Sequence, residues 1–452
     1  MNKRYNKTSW RKIVLYIVAI ILVWLIYLIA YYPAIMSSDS LSQWNQSVKN
    51  SYWDGHPVIH TLFNKLITSI YHSPAAIALS QIVITALIIG FGLHSFEKHG
   101  IKQIYLLLTT LFFMIVPTFG FMSIILWKDI LFSAFLLLYT IIIINIVYTK
   151  GDYLISSKNK VFIIFISSII CLFRHNGLII FIGTNMILLL CYRVKLRDNL
   201  IVLISTLIIY FLVKGPFYNY LNVSRDTSNE ALAIPTQQIA YVIRSNGNLE
   251  ESEAAYFNSI LPLEEWKKSY NMFSVDPIKM HKDFNKEVII NDVGKFLRTW
   301  ISVVRKNPGL SYNAYINQIN IIWNYNSVVN IAHMRIIEND LGLKNVVLNE
   351  KVSNLVKELF SKTIGTKLAW ILWKPAIYMY LSMVFIVVAT LRYKKSIIII
   401  APMLLNIFTY LIAIPAPEFR YFYSNLLIFP FIFLTASVNF INKDNQVFYN
   451  YK

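Results

Sequence analysis

The sequence predicts an all-α polytopic membrane protein, and three observations carry that prediction. The chain of 452 residues is 56% hydrophobic and only 14% charged, where soluble proteins carry about 25% charged residues. Apolar runs approaching the ~20 residues needed to cross a bilayer recur along it. Its basic residues gather in the short connections between those runs, as cytoplasmic loops of membrane proteins do.

About ten transmembrane helices are expected from the apolar runs: Ile13–Ala30, Ala75–Leu93, Ile104–Val116, Ile130–Tyr148, Val161–Leu172, Leu178–Cys191, Leu200–Val213, Leu368–Leu391, Ile397–Ile414 and Tyr421–Ile441. The first is too long for a removed signal peptide and lacks a small-residue cleavage site, so it is expected to stay as an anchor.

The net charge of +19 does not point to nucleic acid. Between Gly215 and Thr366 there are 16 Lys/Arg against 15 Asp/Glu. The excess lies in Lys3, Arg4, Lys7, Arg11 and Lys12; Lys98 and Lys102; Lys150, Lys158 and Lys160; Arg193, Lys195 and Arg197; and Arg392, Lys394 and Lys395. Ten spans put all of these on one side, which the positive-inside rule makes cytoplasmic. The expected protein is a multi-pass cell-membrane protein with both termini cytoplasmic and membrane lipids around it.

Three parts follow. Residues 1–214 form an N-terminal transmembrane bundle with a first outer loop over 31–74. Residues 215–366 form an extracytoplasmic, mainly helical domain, and residues 367–452 add the C-terminal transmembrane helices. In the outer loop Val58, Ile59, Leu62, Phe63, Leu66, Ile67 and Ile70 recur at helical spacing, with Thr61, Asn64, Lys65, Thr68 and Ser69 between them. That pattern predicts an amphipathic helix along the membrane surface. In the insert, helices are expected over Leu249–Ile260 and Glu264–Tyr270, then a long stretch over 277–305. Cys171 and Cys191 fall near opposite membrane faces and cannot pair. Neither a Gly-rich phosphate loop nor a Gly-x-Ser-x-Gly elbow occurs, so ATP-driven transport finds no support.

The polar residues that interrupt this apolar chain collect on the outer side. Asp39, in Ser37-Ser38-Asp39-Ser40, reads equally as a helix cap or as a surface carboxylate that takes a proton from, or orients, a hydroxyl. Asp54-Gly55-His56-Pro57 is turn chemistry, and it also places a carboxylate beside an imidazole, an unspecific pair for a divalent ion. Lys128 and Asp129 open the fourth span, as a snorkelling pair or with Lys128 reaching a phosphate. Arg174-His175-Asn176-Gly177 breaks an apolar stretch, where the planar fork of Arg174 suits a phosphate. Glu418-Phe419-Arg420-Tyr421 flanks the last span as a local ion pair or as a further ligand contact.

Together these residues resemble the GT-C superfamily of integral-membrane glycosyltransferases, and more closely a bacterial branch of it. The resemblance rests on Tyr32-Pro33 followed by Asp39-Ser40, on Asp54-Gly55-His56-Pro57, Lys128-Asp129, Arg174-His175-Asn176-Gly177 and Glu418-Phe419-Arg420-Tyr421. Within the insert, Pro235-Thr236-Gln237-Gln238 and Ser274-Val275-Asp276-Pro277 look similar too. It implies a GT-C-like fold and transfer of a sugar from a polyprenyl-phosphate carrier to an envelope glycan, lipid or protein on the outer face. Asp39 would be the catalytic or acceptor-orienting acid with Asp54 and His56 beside it. Lys128, Arg174 and Arg420 would hold the lipid phosphate, with Asp129, Asn176 and Glu418 in the same binding site. Some members use a divalent metal and others do not, which leaves the cofactor open. A polysaccharide polymerase or ligase, and a lipid-linked glycan flippase or transporter, are the competing readings. The collection of ionisable groups at one surface, with no visible repeat, sets the chain apart from midplane transporter sites.

Overall fold

The computed structural model describes residues 10–224, 230–331 and 334–438. Lys3, Arg4, Lys7 and the expected end of the final span, 439–441, lie outside the described residues. Among the described residues the chain is helical, with four isolated bridges and no strand. Seven helices are long and apolar enough to cross a membrane, or up to eight if one bent pair is a single span. The chain is therefore a polytopic helical membrane protein.

In chain order the first helices are α1 (Trp10–Ala30), α2 (Ser38–Lys49), α3 (Val58–Ile70), α4 (Pro74–Lys98), α5 (Gln103–Ile115), α6 (Pro117–Ser123), α7 (Lys128–Tyr148), α8 (Ser157–Phe173), α9 (Gly177–Cys191) and α10 (Leu196–Leu212). Three expected spans fall on short helices: α5, α8 and α9 have 13, 17 and 15 residues, fewer than the ~20 that cross a bilayer upright. The α5–α6 pair bends by 61° where Val116 turns extended before Pro117, because a residue preceding proline is pushed out of the helical region.

The chain divides into two compact units. The first comprises Met1–Arg225, Ala332–Asn406 and Arg420–Lys452, and the second Asp226–Ile331 and Ile407–Phe419. The second unit thus shares 226–331 with the expected insert and adds a segment from far along the chain.

In the first unit α7 packs against α4, α8 and the helix Tyr423–Ser437. Its most apolar window is 94% buried, against 11% for the candidate span Arg193–Tyr220 that contains α10. A helix apolar all round belongs in a core, whereas the outward Ile204, Ile208 and Phe211 of α10 suit lipid. Ahead of α2 the chain is clamped. The Ile35 N–H donates to the Ile124 carbonyl (3.0 Å) and the Leu126 N–H to the Ile35 carbonyl (3.0 Å). The Asn345 amide donates to the carbonyls of Tyr31 and Ala34 (2.9 Å each). These bonds fix where Asp39 and Lys128 leave the backbone.

α3 is the amphipathic helix that the spacing predicts, and past the buried Val58 it turns most of its polar residues inward. His60, Thr61, Asn64 and Thr68 are buried, while Leu66 and Ile70 are 63% and 80% exposed. Its polar face is held by bonds such as Gln43 to Thr61 (3.0 Å). Only apolar surroundings favour an outward apolar face, as at a membrane interface.

The second unit has a water-type core of Phe257, Ile260, Trp266, Phe296 and Val303. Here the long stretch expected over 277–305 is broken into Asp276–Lys279, Lys286–Asn291 and Val293–Lys306. The second of these breaks is a cap: the Asp292 carboxylate accepts from the Lys295 N–H at 2.7 Å and starts a new helix, as an N-cap Asp does.

Candidate functional site

Four of the first unit's segments bring charged side chains to one place: the start of α2, the loop before α3, the start of α7 and the turn between α8 and α9. Arg420, just before the last helix, completes the set. Two arginine–carboxylate pairs lie at its centre, one of them buried. Arg174 donates from Nη1 to Asp129 Oδ1, and Arg420 donates from Nη1 to Asp39 Oδ2 at 2.5 Å. The same Nη1 stands 3.9 Å from Asp129 Oδ2, which is buried and accepts no hydrogen bond among the described residues. Aromatic rings carry both guanidinium planes. Arg420 lies over Trp127 (4.6 Å) and Arg174 over Tyr421 (5.3 Å), contacts that strengthen as water is excluded.

The two carboxylates differ in access: the Asp129 side chain is 1% exposed and that of Asp39 28%. Asp39 is therefore the acid that can meet a ligand. It does not cap α2, whose N-cap is Ser37; the Ser37 hydroxyl accepts instead from the Trp127 indole (2.7 Å). Burial pushes the Asp39 carboxyl up, but Arg420, followed by Lys128 and His56, outweighs that and holds it well below the usual carboxylate range.

Lys128 points at His56, whose Nδ1 lies 3.1 Å from its ammonium. An ammonium has donors only, so Nδ1 accepts and the neutral ring carries its proton on Nε2. Burial and the adjacent Lys128 push the His56 imidazole down to about 4, which keeps it neutral. Lys128 forms no ion pair with a carboxylate among the described residues.

A second charge pair sits on the loop before α3. Asp54 accepts from Lys214 through both oxygens (2.9 and 2.8 Å). Its carbonyl accepts from His175 Nε2 at 2.9 Å. Burial and Lys214 push the His175 imidazole down as well. Lys214 itself lies 4.8 Å over the Tyr218 ring, on the turn of π-helix Val213–Phe217 that follows α10.

The Arg174 turn needs its glycine. A Cβ on Gly177 would stand 2.0 Å from the Ile170 carbonyl oxygen, so only glycine lets α9 start this close to the end of α8. Asn176 reaches Asn406 (3.2 Å), whose amide donates to the Tyr421 carbonyl and Ser424 hydroxyl (3.2 Å each). Asn176 thereby braces the backbone beside Arg420. Glu418 belongs to the second unit, where its Oε1 accepts from the Asn330 amide at 3.2 Å.

Two members of the cluster carry no signal in the sequence. Lys214 ends an apolar run, a position where a lysine ordinarily snorkels. His60 falls on the polar face of an amphipathic helix, yet it is fully buried, and neither ring nitrogen has a hydrogen-bond partner among the described residues. It packs edge-on against Phe173 at 5.4 Å, and burial pushes it down to about 3. One turn after His56, it could be found only by knowing which face points inward.

The residues do not fit a divalent metal. Among the described residues no three His, Cys, Asp or Glu converge. Asp39, Asp54 and Asp129 each face an Arg or Lys, and His56 Nδ1 is taken by Lys128. Divalent ions ask for several unclaimed oxygen or nitrogen donors. Cys171 and Cys191 are both free thiols.

No curated protein and no solved structure matches the chain. A family match begins at Pro57, after Asp39, Asp54 and His56, and takes in Lys128, Arg174, Lys214 and Arg420. Over residues 57–447 the sequence matches the family described as Family of unknown function (DUF6020), and the chain belongs to that family.

Proposed function

We propose that this protein is a membrane glycosyltransferase of GT-C type. It moves a sugar from a polyprenyl-phosphate carrier to a cell-envelope acceptor on the outer face, with both termini cytoplasmic. The observation that carries the reading is a partly exposed carboxylate, Asp39, beside one cation more than the cluster's acids can balance. Arg420, Arg174 and Lys214 are matched by Asp39, Asp129 and Asp54. Lys128 remains.

That charge balance suits the chemistry. The acceptor hydroxyl attacks the anomeric carbon, and the bond from that carbon to the phosphate oxygen breaks with its electron pair leaving on oxygen. A singly charged phosphodiester thereby becomes a phosphomonoester and gains one negative charge. Lys128 is placed to meet that charge as it develops, the kind of fixed electrostatic stabilisation that lowers a transition state. The hydroxyl proton passes to Asp39. A carboxylate held so low accepts it only from a hydroxyl already acidified by attack, so Asp39 first orients the acceptor and then takes the proton.

The test is the Asp39→Asn variant in cells and as purified protein. The expected result is loss of the envelope glycan seen with the wild-type chain, while binding of polyprenyl phosphate persists. Unchanged glycan in that variant removes Asp39 from the reaction, and identical glycans in a deletion strain and its parent remove the transferase reading.

A further inference from the structure

The disagreement between this cluster and a divalent metal goes further. We infer that it is a metal-free anion site, in which the Lys128 ammonium supplies the charge that a divalent ion would otherwise bring to a phosphate monoester. The identity of that anion as lipid-borne rests on the reading above; the absence of a metal requirement rests on the donors alone.

The argument begins with the carboxylates. A metal entering this cluster would have to bind carboxylates that Arg420 and Arg174 already neutralise, and would compete with them for Asp39 and Asp129. Asp129 is almost fully buried, so drawing its charge to a metal would leave the Arg174 guanidinium, itself 12% exposed, without its carboxylate where little water reaches, and breaking such a pair is strongly unfavourable. The released guanidinium would then stand beside the incoming dication. His56 offers no better footing, because its accepting nitrogen already faces an ammonium at 3.1 Å.

An anion meets the opposite situation. Lys128 uses one N–H on His56 and pairs with no carboxylate among the described residues. His56 is held neutral by burial and by the same ammonium, and its ring keeps the Nε2–H for donation. Arg420 already lies between two acids, at 2.5 Å from Asp39 and 3.9 Å from Asp129. It can therefore lean toward an anion without leaving both. Charge-assisted hydrogen bonds from such groups are the strong ones.

The experiment uses the purified full chain in detergent, with three probes. Manganese(II) alone is titrated and followed by electron paramagnetic resonance. Decaprenyl phosphate binding is measured in chelator and then with added magnesium, and inorganic phosphate is tested as its competitor. The inference expects no saturable manganese site and equal decaprenyl phosphate affinity with and without magnesium. It expects a loss of at least about tenfold in Lys128→Met, partly restored in Lys128→Arg. Competition by inorganic phosphate shows that the headgroup alone suffices; its failure shows that the lipid chain contributes. A saturable manganese site that disappears in Asp39→Asn overturns the inference, and this arm needs no lysine variant to fold. So does binding that requires magnesium, absence of any decaprenyl phosphate binding, or unchanged binding in a folded Lys128→Met. Metal-free binding together with identical glycans in a deletion strain and its parent would leave this inference standing and sink the transferase reading.

Discussion

Two amphipathic helices in this chain solve opposite problems. Val293–Lys306, in the second unit, buries Phe296 and Val303 and leaves Lys295, Arg298 and Arg305 outside. α3, in the first unit, buries His60, Thr61, Asn64 and Thr68 alongside Val58 and leaves Leu66 and Ile70 outside. The hydrophobic effect drives the first arrangement and forbids the second in water. In lipid the preference reverses, because polar groups must find partners within the protein. The difference also separates their chemistry. The inward polar face of α3 follows directly on His56 and adds a buried imidazole to the charged cluster, whereas the inward face of Val293–Lys306 is a plain apolar core.

The sharpest way to break this contrast is to remove one partner of a buried pair. Arg174→Met strands the Asp129 carboxylate, 1% exposed, and is expected to cost on the order of 3–5 kcal/mol. Removing both charges, with Asp129→Leu added, should recover most of that loss. Thermal unfolding of the full chain in detergent measures both. Equal stability of the single variant and wild type, also in a background where Arg420 is replaced, would mean that Asp129 is hydrated, and the inward-polar description of the first unit would fail.

Two apolar truncations compare the helices directly. Phe296→Ala opens a cavity in the second unit and is expected to cost about 3 kcal/mol. Leu66→Ala removes a side chain that is 63% exposed and should change stability by less than about 0.5 kcal/mol. Similar losses at the two positions would show that α3 is packed against a partner on its outward side.

These helices also mark what the sequence can tell. Periodicity alone finds both, because it reports that two faces differ. Which face turns inward depends on the solvent, and that is a property of the neighbouring elements. The composition announced a membrane protein, and α1, α4 and α7 follow from uninterrupted apolar runs. Lys128, Arg174 and Arg420 stand out in the sequence as charges at span ends and Asp39 as an acid soon after the first span, and the structure gathers them. Lys214 does not stand out, since one lysine after an apolar run looks like a snorkelling end. Nor does the clamp at Asn345, whose bonds reach more than three hundred residues back to Tyr31 and Ala34. The break at Asp292 was hidden by helix-forming residues on both sides of it, with only a local cap to mark it.

Acid titration sharpens the contrast further. His60 takes up a proton near 6.5 when unfolded and only at about 3 in the folded chain. Between those values the unfolded state binds more protons, so stability rises with pH across this window and is lost as pH falls from about 6.5. His56, down at about 4, acts in the same direction. Over one pH unit the buried His60 contributes at most about 1.4 kcal/mol. Unfolding of wild type and His60→Phe at pH 6 and pH 5 is the measurement. The variant should show a visibly flatter dependence, and parallel curves would mean that His60 is solvated.

The gentlest test leaves stability nearly untouched, within about 0.5 kcal/mol, and asks only what surrounds each helix. In a background without Cys171 and Cys191, a nitroxide spin label is attached at Ile70→Cys or at Ile301→Cys. These sites are 80% and 41% exposed, so neither label displaces a core. In proteoliposomes the label at position 70 should collide more with oxygen, which concentrates in lipid, than with a water-soluble nickel chelate. The label at position 301 should show the reverse. If both prefer the chelate, the outward apolar face of α3 lies in water. Its inverted amphipathicity would then need a protein partner on that face, because water alone cannot hold Leu66 and Ile70 outward while Thr61 and Asn64 are buried.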